Sequence, residues 1–171
     1  MLAIVIPYYK LTFFEETLRS LANQTDKRFK VYIGDDASLE NPFTLLEKYK
    51  GQFDFVYQRF ESNLGRISLT KQWDRCIALS GNEEWIMILG DDDVLGENVV
   101  KEFYRNLPEL ETLTNVVRFS TCKIDAKGLL FTSAFLYDSP FENKHLKDSM
   151  LFKGNEEPSQ IKVSSKVKQL G

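Results

Sequence analysis

Trp85-Ile86-Met87-Ile88-Leu89-Gly90-Asp91-Asp92-Asp93 is the stretch on which the reading of the whole chain turns. Its five apolar residues have the length of a fully buried strand or a short buried helix segment, and they run into one glycine and three carboxylates. Three adjacent aspartates repel one another at pH 7, and at the mouth of a buried strand each also loses solvation. A divalent cation relieves both costs, because Mg²⁺ and Mn²⁺ prefer oxygen ligands and Mg²⁺ commonly takes one or two carboxylates plus substrate phosphates. Taken alone, the triplet reads equally as a solvated acidic turn.

Strand and helix patterns alternate on the amino-terminal side of this stretch. Residues 2–6 are apolar and end at Pro7, which predicts a strand that stops there. Thr12 is positioned to cap a helix with Phe13, Phe14, Thr17, Leu18 and Leu21 at helical spacing and Glu15 and Glu16 in its first turn. A second strand is expected over 29–33, closed by Gly34-Asp35-Asp36-Ala37-Ser38. A helix follows over 43–49, started by Asn41-Pro42 and ended by Gly51. A third strand is expected over 53–57, then a polar loop over 61–66. The next helix, over 68–79, carries Leu69, Trp73, Cys76, Ile77 and Leu79 on one face. Beyond the Asp triplet, 97–107 reads as a helix broken at Pro108, and 116–124 with 129–136 as a hairpin around Asp125-Ala126-Lys127-Gly128. The tail from 154 to 171 is polar and reads as weakly structured.

Four strand-then-helix units predict an α/β fold with a largely parallel sheet flanked by helices and a C-terminal β-hairpin. The chain of 171 residues fits one domain. Its net charge of -3 gives no electrostatic pointer to nucleic acid. Cys76 and Cys122 lack metal-type spacing, and His145 stands alone, so a histidine-rich metal site is excluded. The short apolar start has no basic region before it, so neither a signal peptide nor an integral membrane segment is expected, and the expected location is cytoplasmic. No P-loop, dinucleotide or nucleophile-elbow motif is present.

In a parallel sheet the strand ends line one edge, where ligands bind. Three of the four ends here are chemically loaded: Pro7-Tyr8-Tyr9-Lys10, Asp35-Asp36 and Asp91-Asp92-Asp93. Asp35 and Asp36 either cap a turn before Ser38 or accept hydrogen bonds from a base or ribose. Tyr8 and Tyr9 are either core aromatics or stacking surfaces for a base. Arg66 and Lys71 are either solvated charges or counter-charges for a leaving diphosphate. Cys76 has no partner histidine and belongs with Trp73 and Ile77 in the core.

These residues resemble the inverting GT-A glycosyltransferases of family 2 over residues 2–107. Ile4-Val5-Ile6-Pro7-Tyr8-Tyr9-Lys10 is similar to that family's first strand, and Ser20-Leu21-Ala22-Asn23-Gln24-Thr25 to its S-x-x-x-Q-T helix end. Asp35-Asp36-Ala37-Ser38 resembles D-D-x-S. Asn63-Leu64-Gly65 with Trp73-Asp74-Arg75-Cys76-Ile77 resembles a subgroup with N-x-G followed by W-N-R-C-I. Leu89-Gly90-Asp91-Asp92-Asp93 stands where D-x-D belongs, with Gly90 at the place of the first acid.

The resemblance implies a nucleotide diphosphate sugar donor, a UDP-sugar by expectation, and a saccharide or lipid-linked acceptor in cell-surface polysaccharide or lipopolysaccharide synthesis. It implies a nucleotide-sugar-binding half over 1–94 and a partial acceptor half over 95–171. Donor contacts fall to Pro7, Tyr8, Tyr9, Asp35, Asp36, Asn63, Gly65, Arg66, Lys71 and Asp91. Mg²⁺ or Mn²⁺ falls to Asp92 first, with Asp91 and Asp93 beside it. No carboxylate matches the family's catalytic base, for which Glu142, Asp148, Glu156 and Glu157 are available. A nucleotidyltransferase of similar fold, a phosphoacceptor signalling domain and a catalytically incomplete nucleotide-binding domain are the rival readings.

Overall fold

The computed structural model describes residues 1–113, 115–119, 124 and 150–153. Strands β1 (Leu2–Tyr8), β2 (Phe29–Asp35), β3 (Asp54–Arg59) and β4 (Trp85–Ile88) alternate with helices α1 (Phe14–Ala22), α2 (Phe43–Tyr49), α3 (Leu69–Ile77) and α4 (Val99–Leu113). Two short strands follow, β5 (Val116–Arg118) and β6 (Met150–Lys153), and the sheet order is β3-β2-β1-β4-β6-β5. The first four strands are mutually parallel, whereas β6 pairs antiparallel with both β4 and β5.

Alternation along β1 divides the core between the two faces of the sheet. Leu2, Ile4, Ile6 and Tyr8 pack with Phe14, Leu18 and Leu21 of α1, Leu46 of α2 and Val100, Phe103 and Leu110 of α4. Ala3 and Val5 pack instead with Tyr32, Ile86 and Cys76 of α3. Both faces of β1 are therefore covered, which is why its sequence is a continuous apolar run.

The structure departs from sequence expectation at two prolines. β1 runs through Pro7, which is registered against Gly34. The carbonyl of Val5 accepts from Leu89 on the β4 side, and that of Tyr8 accepts from Asp36 on the β2 side. Pro7 shares the parity of Val5 and so faces β4, but the β1–β4 pairing has already ended at Val5 and Ile88. The missing N–H thus costs no ladder bond. α4 likewise continues through Pro108 to Leu113. One helical hydrogen bond is lost there, and the burial of Leu110 beyond it, worth about 1.5–3 kcal/mol, offsets that loss.

Helix α1 starts at Phe14 with Phe13 at its cap position and no side-chain cap, so Thr12 does not play that part. Ser68 does cap α3, its hydroxyl accepting from the Lys71 amide. The buried face of α3 is Gln72 and Cys76, with Leu69 exposed and Trp73 half-buried. Gln72 is stable there because its amide donates to the Gly34 carbonyl and its oxygen accepts from Arg75. Of the expected hairpin's first arm, residues 116–119 and 124 are described, with 116–118 as β5. Residues 129–136 and the tail 154–171 lie outside the described residues. Among the described residues no helix is long and apolar enough to cross a membrane.

Candidate functional site at the sheet's carboxyl edge

From β1 the sheet grows one way through β2 and β3 and the other way through β4, so the strand order reverses between β1 and β4. Ligands in open α/β sheets bind in the crevice outside such a reversal. Asp91, three residues past β4, bridges it: its Oδ2 accepts from the backbone amides of Tyr9 at 2.7 Å and Lys10 at 2.8 Å. Burial pushes the Asp91 carboxyl up from its ordinary value, and the Lys10 and Tyr9 amides act in the opposite direction. The Asp91 carbonyl accepts from the Thr17 hydroxyl at 3.2 Å.

The three aspartates have separate surroundings. Asp93 folds back, its Oδ2 accepting from the Gly90 amide at 3.1 Å while its own amide donates to the Gly90 carbonyl. Asp92 is the exposed member. A Cβ at position 90 would lie 2.6 Å from Asp93 Oδ2 and 3.0 Å from Asp92 Oδ1. A side chain at position 90 would therefore displace the Asp93 and Asp92 carboxylates from their places in this turn.

Asp35 and Asp36 point to opposite sides. Asp35 is completely buried. Its Oδ1 accepts from the Ser38 amide at 2.8 Å, and its Oδ2 from the Tyr57 hydroxyl at 2.5 Å and Arg59 at 2.9 Å. Asp35 is thus held wholly by protein groups and organises the loop after β2. Burial, followed by the bond to Asp35, pushes the Tyr57 phenol up to about 12. Asp36 is 5% exposed. It accepts from the amides of Leu64 at 2.7 Å and Gly65 at 2.9 Å, and it is ion-paired with Arg75. Ala37, between Asp36 and Ser38, adopts a left-handed φ of 54°.

Tyr8 is fully buried, its ring 4.7 Å from that of Phe14 and its hydroxyl donating to the Glu40 carbonyl. Of the two readings of Tyr8, this placement is that of a core aromatic. Tyr9 is 43% exposed, and its carbonyl accepts from the Ser38 hydroxyl. Pro7, Asn63 and Gly65 are half-buried, while Arg66 and Lys71 are exposed. The Asn63 side chain accepts from the Arg66 amide at 2.8 Å, which shapes the loop as N-x-G followed by a cation. The strand ends are thus joined directly: Asp91 to Tyr9, Tyr9 to Ser38, Ser38 to Asp35, and Asp36 to the loop at Leu64 and Gly65.

Sequence reasoning missed several residues of this framework. Arg59 bridges Asp35 and the Ser38 carbonyl, and Arg75 bridges Asp36 and the Ser62 carbonyl while lying 4.0 Å over the Phe60 ring. The family-like Ser20, Gln24 and Thr25 hold the segment after the Asp triplet. Ser20 accepts from the Leu95 amide, Gln24 donates to the Gly96 carbonyl and accepts from Val100, and the Thr25 amide donates to the Glu97 carbonyl. The advance signals were the carboxylates at 35 and 36, which required partners, and for Arg75 its place in the W-x-R-C-I motif. A cavity of about 330 Å³ lies on the Asp35 side, lined by Ser38, Leu39, Asn41, Phe43, Tyr57 and Arg59.

Among the described residues no group of three or more His, Cys, Asp or Glu side chains could hold a metal ion. An exposed carboxylate at the strand-order reversal instead fits the usual Mg²⁺ arrangement of one or two carboxylates completed by phosphates and water.

A family model described as Glycosyl transferase family 2 matches residues 3–154. Glycosyltransferase GlyG of Streptococcus pneumoniae serotype 4 is 23% identical over 110 residues, which are 64% of this chain and 36% of that protein. The crystal structure of S. aureus TarS 1-349 in complex with UDP superposes with a TM-score of 0.69 at 19% identity, covering 90% of this chain and 46% of that one. The complex of the same protein with UDP-GlcNAc gives 0.69 at 18% identity, covering 90% and 45%. The chain spans less than half the length of these relatives, and the structural likeness is one of fold.

Proposed function

The chain belongs to glycosyl transferase family 2 and has the GT-A fold, and on that premise we propose that it transfers a sugar from a UDP-sugar to an acceptor hydroxyl with inversion. The observation that carries this reading is the exposed carboxylate of Asp92 beside the strand-order reversal, where Asp91 fastens the end of β1 to the turn after β4. The UDP and UDP-GlcNAc complexes of the TarS structures support a uridine nucleotide as the donor. The acceptor we assign is a saccharide or lipid-linked hydroxyl of cell-surface polysaccharide or lipopolysaccharide synthesis, on the strength of the family resemblance alone.

Within this proposal, Pro7 and the exposed Tyr9 flank the base, and Asn63 and Gly65 shape the loop from which Arg66 reaches the diphosphate. Lys71, exposed on the first turn of α3, adds a second cation for the same group. Asp92 would hold Mg²⁺ or Mn²⁺, and Asp91 and Asp93 hold the turn that presents it. When bound, the metal supplies Lewis-acid stabilisation of the leaving diphosphate. The acceptor hydroxyl must lose its proton to a carboxylate within hydrogen-bond reach. Glu142, Asp148, Glu156 and Glu157 lie outside the described residues, and none of the described carboxylates is assigned that role.

Calorimetric titration with UDP, GDP and dTDP, each with and without Mn²⁺, tests the proposal. Metal-dependent UDP binding that is abolished in Asp92→Ala is the expected result. Metal-independent binding, or metal binding without nucleotide affinity, overturns it.

A further inference from the structure

Both carboxylate oxygens of Asp36 are engaged by protein groups in this structure. One carboxylate oxygen accepts from the Leu64 amide and from Arg75, and the other accepts from the Gly65 amide. The residue is 5% exposed, so the loop residues themselves cover it. The loop approaches closely enough that a Cβ on Gly65 would lie 2.6 Å from Asp36 Oδ2.

Arg75 fixes this arrangement from the helix side. Its guanidinium pairs with Asp36, donates to the Ser62 carbonyl at 2.8 Å, donates to the Gln72 side chain and stacks over Phe60. Ser62 and Phe60 bracket the entrance of the loop, and Leu64 and Gly65 form its turn. Two of these contacts, to the Ser62 carbonyl and the Phe60 ring, fall on the loop itself, a third holds Asp36, which the loop amides donate to, and the Gln72 bond fixes the guanidinium on α3. Such a residue sets where a loop sits more than whether the domain folds.

We propose that Arg75 is a positioning residue for donor binding: acting through Asp36 and the Ser62 carbonyl, it latches loop residues 62–65 and so sets the placement of Asn63 and Arg66. The inference rests on the donor-binding reading of the site. It gives Asp36 the work of holding the loop in place of touching the base.

Amide hydrogen exchange and UDP–Mn²⁺ calorimetry on Arg75→Met, Arg75→Lys and Gly65→Ala test it together. In Arg75→Met, exchange at Leu64 and Gly65 should rise about tenfold or more, with core amides such as those of Ile4 and Ile33 unchanged, and UDP affinity should fall about tenfold. Arg75→Lys keeps the charge and should recover part of both effects. Gly65→Ala, which leaves Arg75 intact and pushes the loop off Asp36, should reproduce the affinity loss if Arg75→Met fails to fold. Unchanged protection at Leu64 and Gly65, or faster exchange with unaltered UDP affinity, overturns the latch. Absence of UDP binding by the unaltered protein overturns the donor reading instead, and the exchange data still report on the loop.

Discussion

Replacing Gly34 by alanine should expose how tightly the end of β2 is set against α3. The added Cβ would collide with Cys76 Sγ, closer than any real carbon contact, and would lie 3.0 Å from Phe60 Cε2 and 3.2 Å from Cys76 Cβ. Ordinary contacts between such atoms are about 3.5–4.0 Å. Cys76 is fully buried, so its sulfur has no solvent to turn into. Overpacking of this kind costs about 1–3 kcal/mol. Part of that is offset by about 0.4–1 kcal/mol, because alanine restricts the unfolded chain more than glycine does. We expect Gly34→Ala to lose about 2 kcal/mol in urea-denaturation midpoints at unchanged slope. Cys76→Ala alone should lose about 1 kcal/mol for the vacated space. In the double variant the worst collision is gone, so the two costs should fall short of additivity by about 1 kcal/mol or more. Strict additivity would refute the claim that the sulfur is what excludes a side chain at position 34. The same displacement moves Arg75, the neighbour of Cys76, so UDP affinity should fall in Gly34→Ala and return in the double variant.

The same geometry sets four further outcomes. Ala37→Gly should stabilise the protein by about 0.5–1 kcal/mol in thermal denaturation, because φ of 54° strains any residue with a Cβ. Gln24→Ala should cost about 1–3 kcal/mol, since it strands the Gly96 carbonyl and the Val100 amide, and exchange at Leu95 and Val100 should accelerate. Burial pushes the Cys76 thiol up to about 12, so peptide mapping should find it unalkylated by iodoacetamide at pH 8 in the native protein and labelled once urea unfolds it. Asp91→Ala should raise exchange at Tyr9 and Lys10 and cost about 1–3 kcal/mol, because two amides lose a charged acceptor. Exchange at Tyr9 and Lys10 that matches the unaltered protein would show that the Asp91 contacts do not hold the strand end.

The α/β order was legible because the apolar runs of β1, β2 and β4 are short and continuous, β3 alternates, and a helical spacing follows each, and α2 in particular begins and ends where Asn41-Pro42 and Gly51 place it. The prolines misled for a physical reason. Pro7 is harmful in a strand only if its side of the ladder is paired, and pairing is a property of the fold. Gln72 took the buried face of α3 ahead of Leu69 because a buried amide with partners is acceptable, and its partners are 3 to 38 residues away. The same long reach hid the roles of Arg59 and Arg75, whose carboxylate partners lie 24 and 39 residues away. At positions 91–93 the triplet announced unusual electrostatics, yet its division into a tether, an exposed acid and a turn-closer depends on backbone amides whose direction no sequence displays.

The segment from Asp91 to Val100 hangs from residues 9–25 through Tyr9, Lys10, Thr17, Ser20, Gln24 and Thr25. A carboxylate edge suspended in this way from the first helix is modular. Its shape is encoded upstream of itself, so sequence drift beyond the first turn of α4 can remodel the later part of the chain while leaving the placement of Asp92 intact.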